Sequence, residues 1–193
     1  TMSDPVTFTE ARLHLRLPSD LDSAETAEIT RMISVATEYC ENFCNRSFTT
    51  GTRTAVFDGF PASWDRKLLG LYLPNGKVSS ITSVVYFTSA FVSTTLAASK
   101  YRLVGASDRA HLFPAMGEVW PTDAADEPEH LVVTYAVDGT SNIPNSVKQA
   151  VLLIVGSLFE YREDGVIDNA GLALVKAPKG ADDLLSPYRL RIA

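Results

Sequence analysis

Few residues in this sequence carry the thiol or imidazole groups that bind transition metals or carry out redox chemistry. Cys40 and Cys44 are the only cysteines, and their separation by four residues places both on one face of a helix. Two ligands do not complete a zinc site, and the three histidines, His14, His111 and His130, fall in different predicted elements without ligand spacing. We therefore expect two packing thiols, no metal and no cofactor.

Sequence signatures of catalysis are also missing. The chain has no G-x-S-x-G nucleophile motif, no G-x-x-x-x-G-K-S/T phosphate loop, no G-x-G-x-x-G fingerprint and no H-E-x-x-H zinc motif. Carboxylate pairs such as Glu38 with Glu41, or Glu160 with Glu163, could support acid–base chemistry, but on helix faces such pairs are usually solvated charge. The sequence therefore predicts a protein that is not an enzyme and has no catalytic residues. A small cytosolic enzyme with an unrecognised pocket is the alternative.

Composition and charge place the chain among folded, acidic proteins. Its 193 residues suffice for one domain, and 46% hydrophobic with 21% charged residues is typical of a soluble globular protein. The formal net charge of −6 disfavours a basic face that binds phosphates, so a DNA-binding packaging subunit is a weaker alternative. With two cysteines and no evident export signal, the chain is expected to be cytosolic.

Hydrophobic periodicity divides the sequence into zones of different secondary structure. Residues 1–49 are predicted to be helical, 50–137 β-rich, 142–164 a further helix, and 165–193 a C-terminal tail interrupted by glycine and proline. We interpret these zones as a single domain of the α+β class. It would be a small helical bundle, with two or three main helices, that carries an antiparallel β-rich insertion and an extended C-terminal tail.

Two helix starts can be placed from the local sequence. Asp22 followed by Glu25 has the spacing of a capping box, which predicts a helix over Ser23–Cys44. Asn142 is the cap candidate for the last major helix, with Pro144 in its first turn. Apolar residues recur at spacings of three and four in both helices, so each should bury one stripe in a core.

The β-rich zone combines β-branched and aromatic residues with turn pairs. The predicted strands are Thr52–Asp58, Leu71–Leu73, Ser80–Phe87, Tyr101–Val104 and Leu131–Val137. The last of these is apolar on both faces, as expected for a central strand. The segment before it, Pro121–Glu129, contains four carboxylates and is predicted to be an exposed acidic loop.

Several large apolar residues have two interpretations. Leu152, Leu153 and Val155 make the last helix apolar on most sides, so it is either central in its own core or partly buried against a neighbouring subunit. Trp120 either fills the space between the sheet and the helices or anchors a subunit interface, where tryptophan is enriched. We keep these four residues as candidates for a subunit interface.

A series of short segments spans nearly the whole chain. In order, they are Val6–Arg12, His14–Arg16, Ala36–Glu41, Asn45–Ser47, Leu71–Pro74, Val78–Tyr86, Phe113–Ala115, Trp120–Pro121, Val133–Tyr135, Ile143–Ala150, Glu160–Glu163 and Leu184–Arg189. This series resembles the head–tail connector (adaptor) proteins of tailed bacteriophages and of phage-like gene transfer agents. Residues 136–141 depart from that family, which usually has a glycine-rich, aromatic turn at this point.

The resemblance implies a structural protein of the virion, made in the cytoplasm of the bacterial host. Such a protein forms a ring, expected to be dodecameric, beneath the portal protein of the head. The ring extends the DNA channel and provides the docking surface for the next stopper or tail protein. DNA would pass through it without specific binding, and no membrane would be involved. Another ring protein of the connector, such as a stopper or tail terminator, is the alternative within the same assembly.

The resemblance also assigns a role to the C-terminal tail, which would reach the portal protein. The residues expected to dock there are Leu184, Leu185, Pro187, Tyr188, Arg189 and Arg191. Several of them are apolar, which is unusual for a simple solvated terminus.

Overall fold

The computed structural model describes residues 4–61, 70–105, 109–139, 143–161, 165–168, 171–174 and 178–190. Contacts within the chain define two units, the helical unit (residues 1–49 and 140–193) and the β unit (residues 50–139). The β unit begins where the sequence predicts the β-rich insertion and ends two residues beyond it. That both units form a single domain stays a prediction.

Local capping fixes the starts of the first two helices. The described helices are α1 (Phe8–His14), α2 (Ser23–Cys44), α3 (Asn145–Glu160) and α4 (Lys179–Leu185), and a 3-10 turn (Ser186–Tyr188) follows α4. The backbone N–H of Glu25 donates to Asp22 Oδ1 at 2.8 Å, and the N–H of Asp22 donates to Glu25 Oε2 at 3.1 Å. This confirms the predicted capping box and the predicted bounds of α2. Thr7 and Glu10 form a second capping box at α1.

The core of the helical unit lies between the apolar stripes of α2 and α3. Ile29 and Ile33 of α2 and Val151 of α3 are almost completely buried. The start of α3 differs from the prediction, because Pro144 is the N-cap residue and no side chain caps the helix. An N-cap residue has extended backbone angles, which the fixed φ of proline allows. The predicted cap, Asn142, lies outside the described residues.

The described strands form antiparallel sheets. They are β1 (Thr50–Phe57), β2 (Leu71–Leu73), β3 (Val78–Phe87), β4 (Ser93–Thr95), β5 (Tyr101–Val104), β6 (Ala110–Pro114), β7 (Leu131–Asp138), β8 (Gly165–Asp168) and β9 (Gly171–Leu174). One sheet has the order β1-β7-β3-β4, a second has the order β2-β6-β5, and β8 pairs with β9. All five predicted strands are present. The helices and antiparallel sheets confirm the α+β class.

The core of the β unit is centred on β7, which lies between β1 and β3. Leu131, Val133, Tyr135 and Val137 on one face of β7 are buried, and the alternate residues are half-buried. This confirms the predicted central strand. The Tyr135 hydroxyl donates to the carbonyl of Pro74 at 3.1 Å, so the buried phenol has a partner.

The C-terminal part of the chain differs from the predicted extended tail. Part of it pairs as the β8–β9 hairpin, and Lys179–Tyr188 is helical. Ala181 and Leu185 are fully buried in the core of the helical unit. Ala181 and Leu185 therefore complete the core of their own unit instead of projecting from it. No helix in the described part of the chain is long and apolar enough to cross a membrane.

Candidate assembly surfaces

Residues 178–190, the C-terminal segment, pack against α2. The Tyr39 hydroxyl donates a hydrogen bond of 2.8 Å to Asp182 Oδ1. Burial and the neighbouring carboxylate raise the pKa of Tyr39 to about 12. The phenol therefore stays neutral near pH 7 and acts as a donor that holds α4 against α2.

Further contacts hold the end of the segment at the end of α2. The backbone N–H of Leu190 donates to the carbonyl of Cys44 at 2.8 Å, and Asn45 Nδ2 donates to the carbonyl of Leu190 at 3.1 Å. The guanidinium carbon of Arg189 lies 5.3 Å from the ring centre of Phe43, within the range of a cation–π interaction. The course of the segment is thus fixed as far as Leu190.

The six residues predicted to dock on a portal protein lie in different environments. Leu184, Leu185 and Tyr188 pack on the helical unit, Pro187 and Arg189 are exposed, and Arg191 lies outside the described residues. The Tyr188 hydroxyl is also 2.9 Å from Ser146 Oγ on α3. Of the described members of this set, Pro187 and Arg189 are therefore the ones that another protein can reach most directly.

The two cysteines are core groups of the helical unit. Cys40 and Cys44 are free and buried. Burial raises the pKa of Cys40 to about 12 and that of Cys44 to about 11. This confirms the interpretation as packing thiols. Among the described residues, no group of three or more His, Cys, Asp or Glu side chains could hold a metal ion.

An open groove lies on the helical unit between the end of α1 and α3. It has a volume of about 540 Å³. Its lining includes the apolar residues Leu15, Leu153 and Phe159 and the polar residues His14 and Glu160. We call it the α1–α3 groove. In this groove, part of the apolar surface of α3 continues outside the core.

The four residues kept as interface candidates divide between core and surface. Val155 is fully buried in the helical unit, and Trp120 is only 6% exposed in the β unit, where it stacks on Phe60 with ring centres 4.9 Å apart. Neither has the surface that an interface anchor needs, because its own unit already covers it. Leu152 and Leu153 are half-buried on α3. Their place in a subunit interface stays a prediction.

The β unit exposes a set of apolar residues that were not predicted from the sequence to be functional. Residues 87–92 join β3 to β4 and form the β3–β4 tip. Phe91 is 67% exposed and Val92 is 58% exposed. Two backbone hydrogen bonds fix the turn, from Thr88 N–H to the carbonyl of Val92 at 3.0 Å and from Phe91 N–H to the carbonyl of Thr88 at 2.7 Å. The available sequence signal was the apolar pair Phe91 and Val92 in a short connection between two strands.

The predicted acidic loop is exposed and contacts the β3–β4 tip. Asp126, Glu127 and Glu129 are exposed. The loop contacts the tip through the backbone, because Ser89 N–H donates to the carbonyl of Asp123 at 2.7 Å. The tip is therefore an apolar projection with negative charge beside it.

Comparison with known proteins identifies the fold. No family model matches the chain, and no curated protein matches it. A chain in the neck of an empty gene transfer agent particle, computed with C6 symmetry, superposes with a TM-score of 0.72 at 21% identity, over 100% of this chain and 97% of that chain. The chain shares its fold with a component of that neck.

Two further structures show the same likeness. A chain in the virion of a native gene transfer agent particle matches with a TM-score of 0.68 at 21% identity. A chain in the neck of a native gene transfer agent particle, computed with C12 symmetry, matches with a TM-score of 0.64 at 20% identity. Both matches cover 100% of this chain and 97% of the other chain. The shared fold therefore extends over all of this chain and nearly all of each of those chains.

Proposed function

We propose that this chain is a structural connector protein of a phage-like particle and forms a ring beneath the portal protein. The observation that carries the proposal is the fold, shared over 100% of this chain with a chain from the neck of a gene transfer agent particle. One such neck was computed with C12 symmetry, which is consistent with a ring of twelve copies. The role is assembly, not turnover.

The charge of the chain is suited to a channel through which DNA passes. A net charge of −6 gives an acidic protein that repels a polyanion instead of binding it. The exposed carboxylates of Asp126, Glu127 and Glu129 contribute to that charge. DNA would therefore pass through the ring without specific contacts.

The surface of the helical unit is suited to contact with a portal protein. Because the C-terminal segment packs on α2, the contact would use its outer side, with Pro187 and Arg189, instead of a free peptide. An ordered segment loses less conformational entropy on binding than a disordered one. The downstream stopper or tail protein would bind the opposite side of the ring.

Electron microscopy tests this proposal. The purified full chain is imaged alone and after mixing with its candidate portal protein. We expect closed rings of regular rotational symmetry, either alone or on the portal. A chain that forms no ring in either sample, at concentrations where the portal itself is assembled, would exclude the connector role.

A further inference from the structure

The backbone of the β3–β4 tip holds an aromatic residue in an unfavourable conformation. Phe91 has a φ of +58°, in the left-handed region that bulky residues rarely adopt. Four other described non-glycine residues have positive φ, and all are polar or charged: Arg16, Asn45, Asn75 and Glu129. Phe91 is the apolar one among the five. The positive φ of Phe91 is an energetic cost to the isolated chain, and its ring, 67% exposed, gains little from burial there. Such a residue is explained most simply by a contact made outside its own unit.

The tip is also shaped for insertion. Its turn is closed by the hydrogen bonds of Thr88, and the isolated bridge between Thr88 and Ala124 joins it to the acidic loop. The exposed apolar side chains Phe87, Phe91 and Val92 follow one another around this turn. A fixed turn with apolar side chains binds a concave apolar surface at little cost in ordering.

The α1–α3 groove offers a matching concave surface. Its walls include Leu15, Leu153 and Phe159, and its volume of about 540 Å³ lies in the range of about 300–1,000 Å³ usual for binding pockets. Arg16, exposed next to Leu15, places a cationic side chain at the end of α1 beside the groove, although Glu160 also lines the groove. An apolar tip with carboxylates beside it is thus complementary to an apolar groove with a basic side.

The symmetry of a ring indicates what should occupy the α1–α3 groove. A ring of more than two identical subunits needs a heterologous contact, in which two different surfaces of the same chain meet. The β3–β4 tip and the α1–α3 groove are two such surfaces. We propose that the tip of one copy inserts Phe91 into the α1–α3 groove of the next copy. This contact rests on the proposed ring and specifies how the ring is closed.

Cysteine cross-linking tests the contact directly. Val92→Cys places a thiol on the tip, and Ser157→Cys places one in the groove, where Ser157 is a lining residue. The native Cys40 and Cys44 are buried with raised pKa values, so they should not react with a maleimide cross-linker. We expect covalent dimers when the two single variants are assembled together, and none from either variant alone. Cross-linking within Val92→Cys alone would mean that two tips meet, which would overturn the proposal.

A second variant separates assembly from folding. Phe91→Asn keeps a residue that tolerates positive φ but removes the ring, so its Tm should stay within about 3 °C of wild type or rise. We expect its assembly to need at least about tenfold more protein, since one buried aromatic contact is lost. The matched control is Met116→Asn, at an exposed apolar residue of the same unit outside the tip. Assembly of Phe91→Asn at wild-type concentration would overturn the contact.

The outcomes distinguish the contact from the ring itself. Rings of the wild-type chain without cross-linking between the two single variants would overturn this contact and leave the connector role intact. A wild-type chain that forms no ring, with or without the portal, would exclude both.

Discussion

The hydroxyl of Tyr39 on α2 donates a hydrogen bond of 2.8 Å to Asp182 on α4, although 143 residues separate them in the sequence. The bond ties the C-terminal segment into the fold of the helical unit. Leu185, buried three residues further on, adds an apolar contact to the same attachment. The end of the described chain is therefore a structural element whose outer side alone is free for a partner.

Removing the hydroxyl of Tyr39 should loosen this attachment. Tyr39→Phe loses a donor to a carboxylate in a half-buried site, so we expect a loss of about 1 kcal/mol in the free energy of unfolding. Urea denaturation measures it. The matched control is Tyr161→Phe, whose tyrosine is 40% exposed at the end of α3. Equal stabilities of the two variants would show that the hydrogen bond contributes nothing.

The same residue gives a pH dependence of stability. The pKa of Tyr39 is raised to about 12 in the folded state, so the folded chain holds this proton more tightly than the unfolded chain does. The contribution of protonated Tyr39 to the free energy of unfolding is complete below about pH 10 and is lost as the pH rises towards 12. The difference in unfolding free energy between wild type and Tyr39→Phe should therefore shrink over that interval. A difference that grows with pH would contradict the assignment.

Leu185 should be essential to folding in spite of its place near the end of the chain. Leu185→Ala removes a fully buried side chain, and we expect a loss of about 2–5 kcal/mol in unfolding free energy. Pro187→Ala, at an exposed neighbour, should change stability by less than about 0.5 kcal/mol. Thermal and urea unfolding compare the two. Similar, small effects of both substitutions would mean that the segment does not pack on the core.

The native thiols should be chemically silent in the folded chain. Cys40 and Cys44 are buried, and burial raises the pKa of Cys40 to about 12 and that of Cys44 to about 11. Almost no thiolate is therefore present at pH 8. We expect no alkylation by iodoacetamide within an hour in buffer and modification of both thiols in guanidinium chloride, as measured by intact mass. Rapid labelling of the folded chain would place at least one thiol at the surface.

Two neighbouring residues of α3 should separate assembly from folding. Leu153 is half-buried in the α1–α3 groove, whereas Val155 is fully buried in the core. Leu153→Asp should leave a folded chain that assembles poorly, and Val155→Asp should unfold it, because a carboxylate is buried without a partner. Circular dichroism reports folding and light scattering reports assembly. If Leu153→Asp unfolded the chain, Leu153 would be a core residue instead.

Patterns formed by residues close together in the sequence predicted the start of α2 and the central strand of the β unit. The capping box of Asp22 and Glu25 placed the start of α2, and the apolar faces of Leu131–Val137 identified the central strand. The short strands β4 and β6 were missed, since β4 has three residues and β6 contains His111 and ends at Pro114. Such segments acquire strand geometry from their partners more than from their own propensity.

The position of the C-terminal segment could not be predicted from local sequence. Its apolar residues resembled a docking peptide because their partners on α2 lie more than 140 residues away, as Tyr39 does from Asp182. The same limit applies to Trp120 and Val155, since composition alone does not distinguish a core position from an interface position. The exposure and the positive φ of Phe91 depend on how the β3–β4 tip folds, which local sequence does not reveal.

The proposed closed ring in a particle neck has a mass that can be measured. Light scattering behind size-exclusion chromatography, on the chain alone and with its candidate portal protein, measures this most directly. We expect a species of about 250 kDa, twelve copies of a chain of 21.0 kDa, either free or added to the mass of the portal. A monomer that leaves the mass of the portal unchanged at micromolar concentration would contradict it.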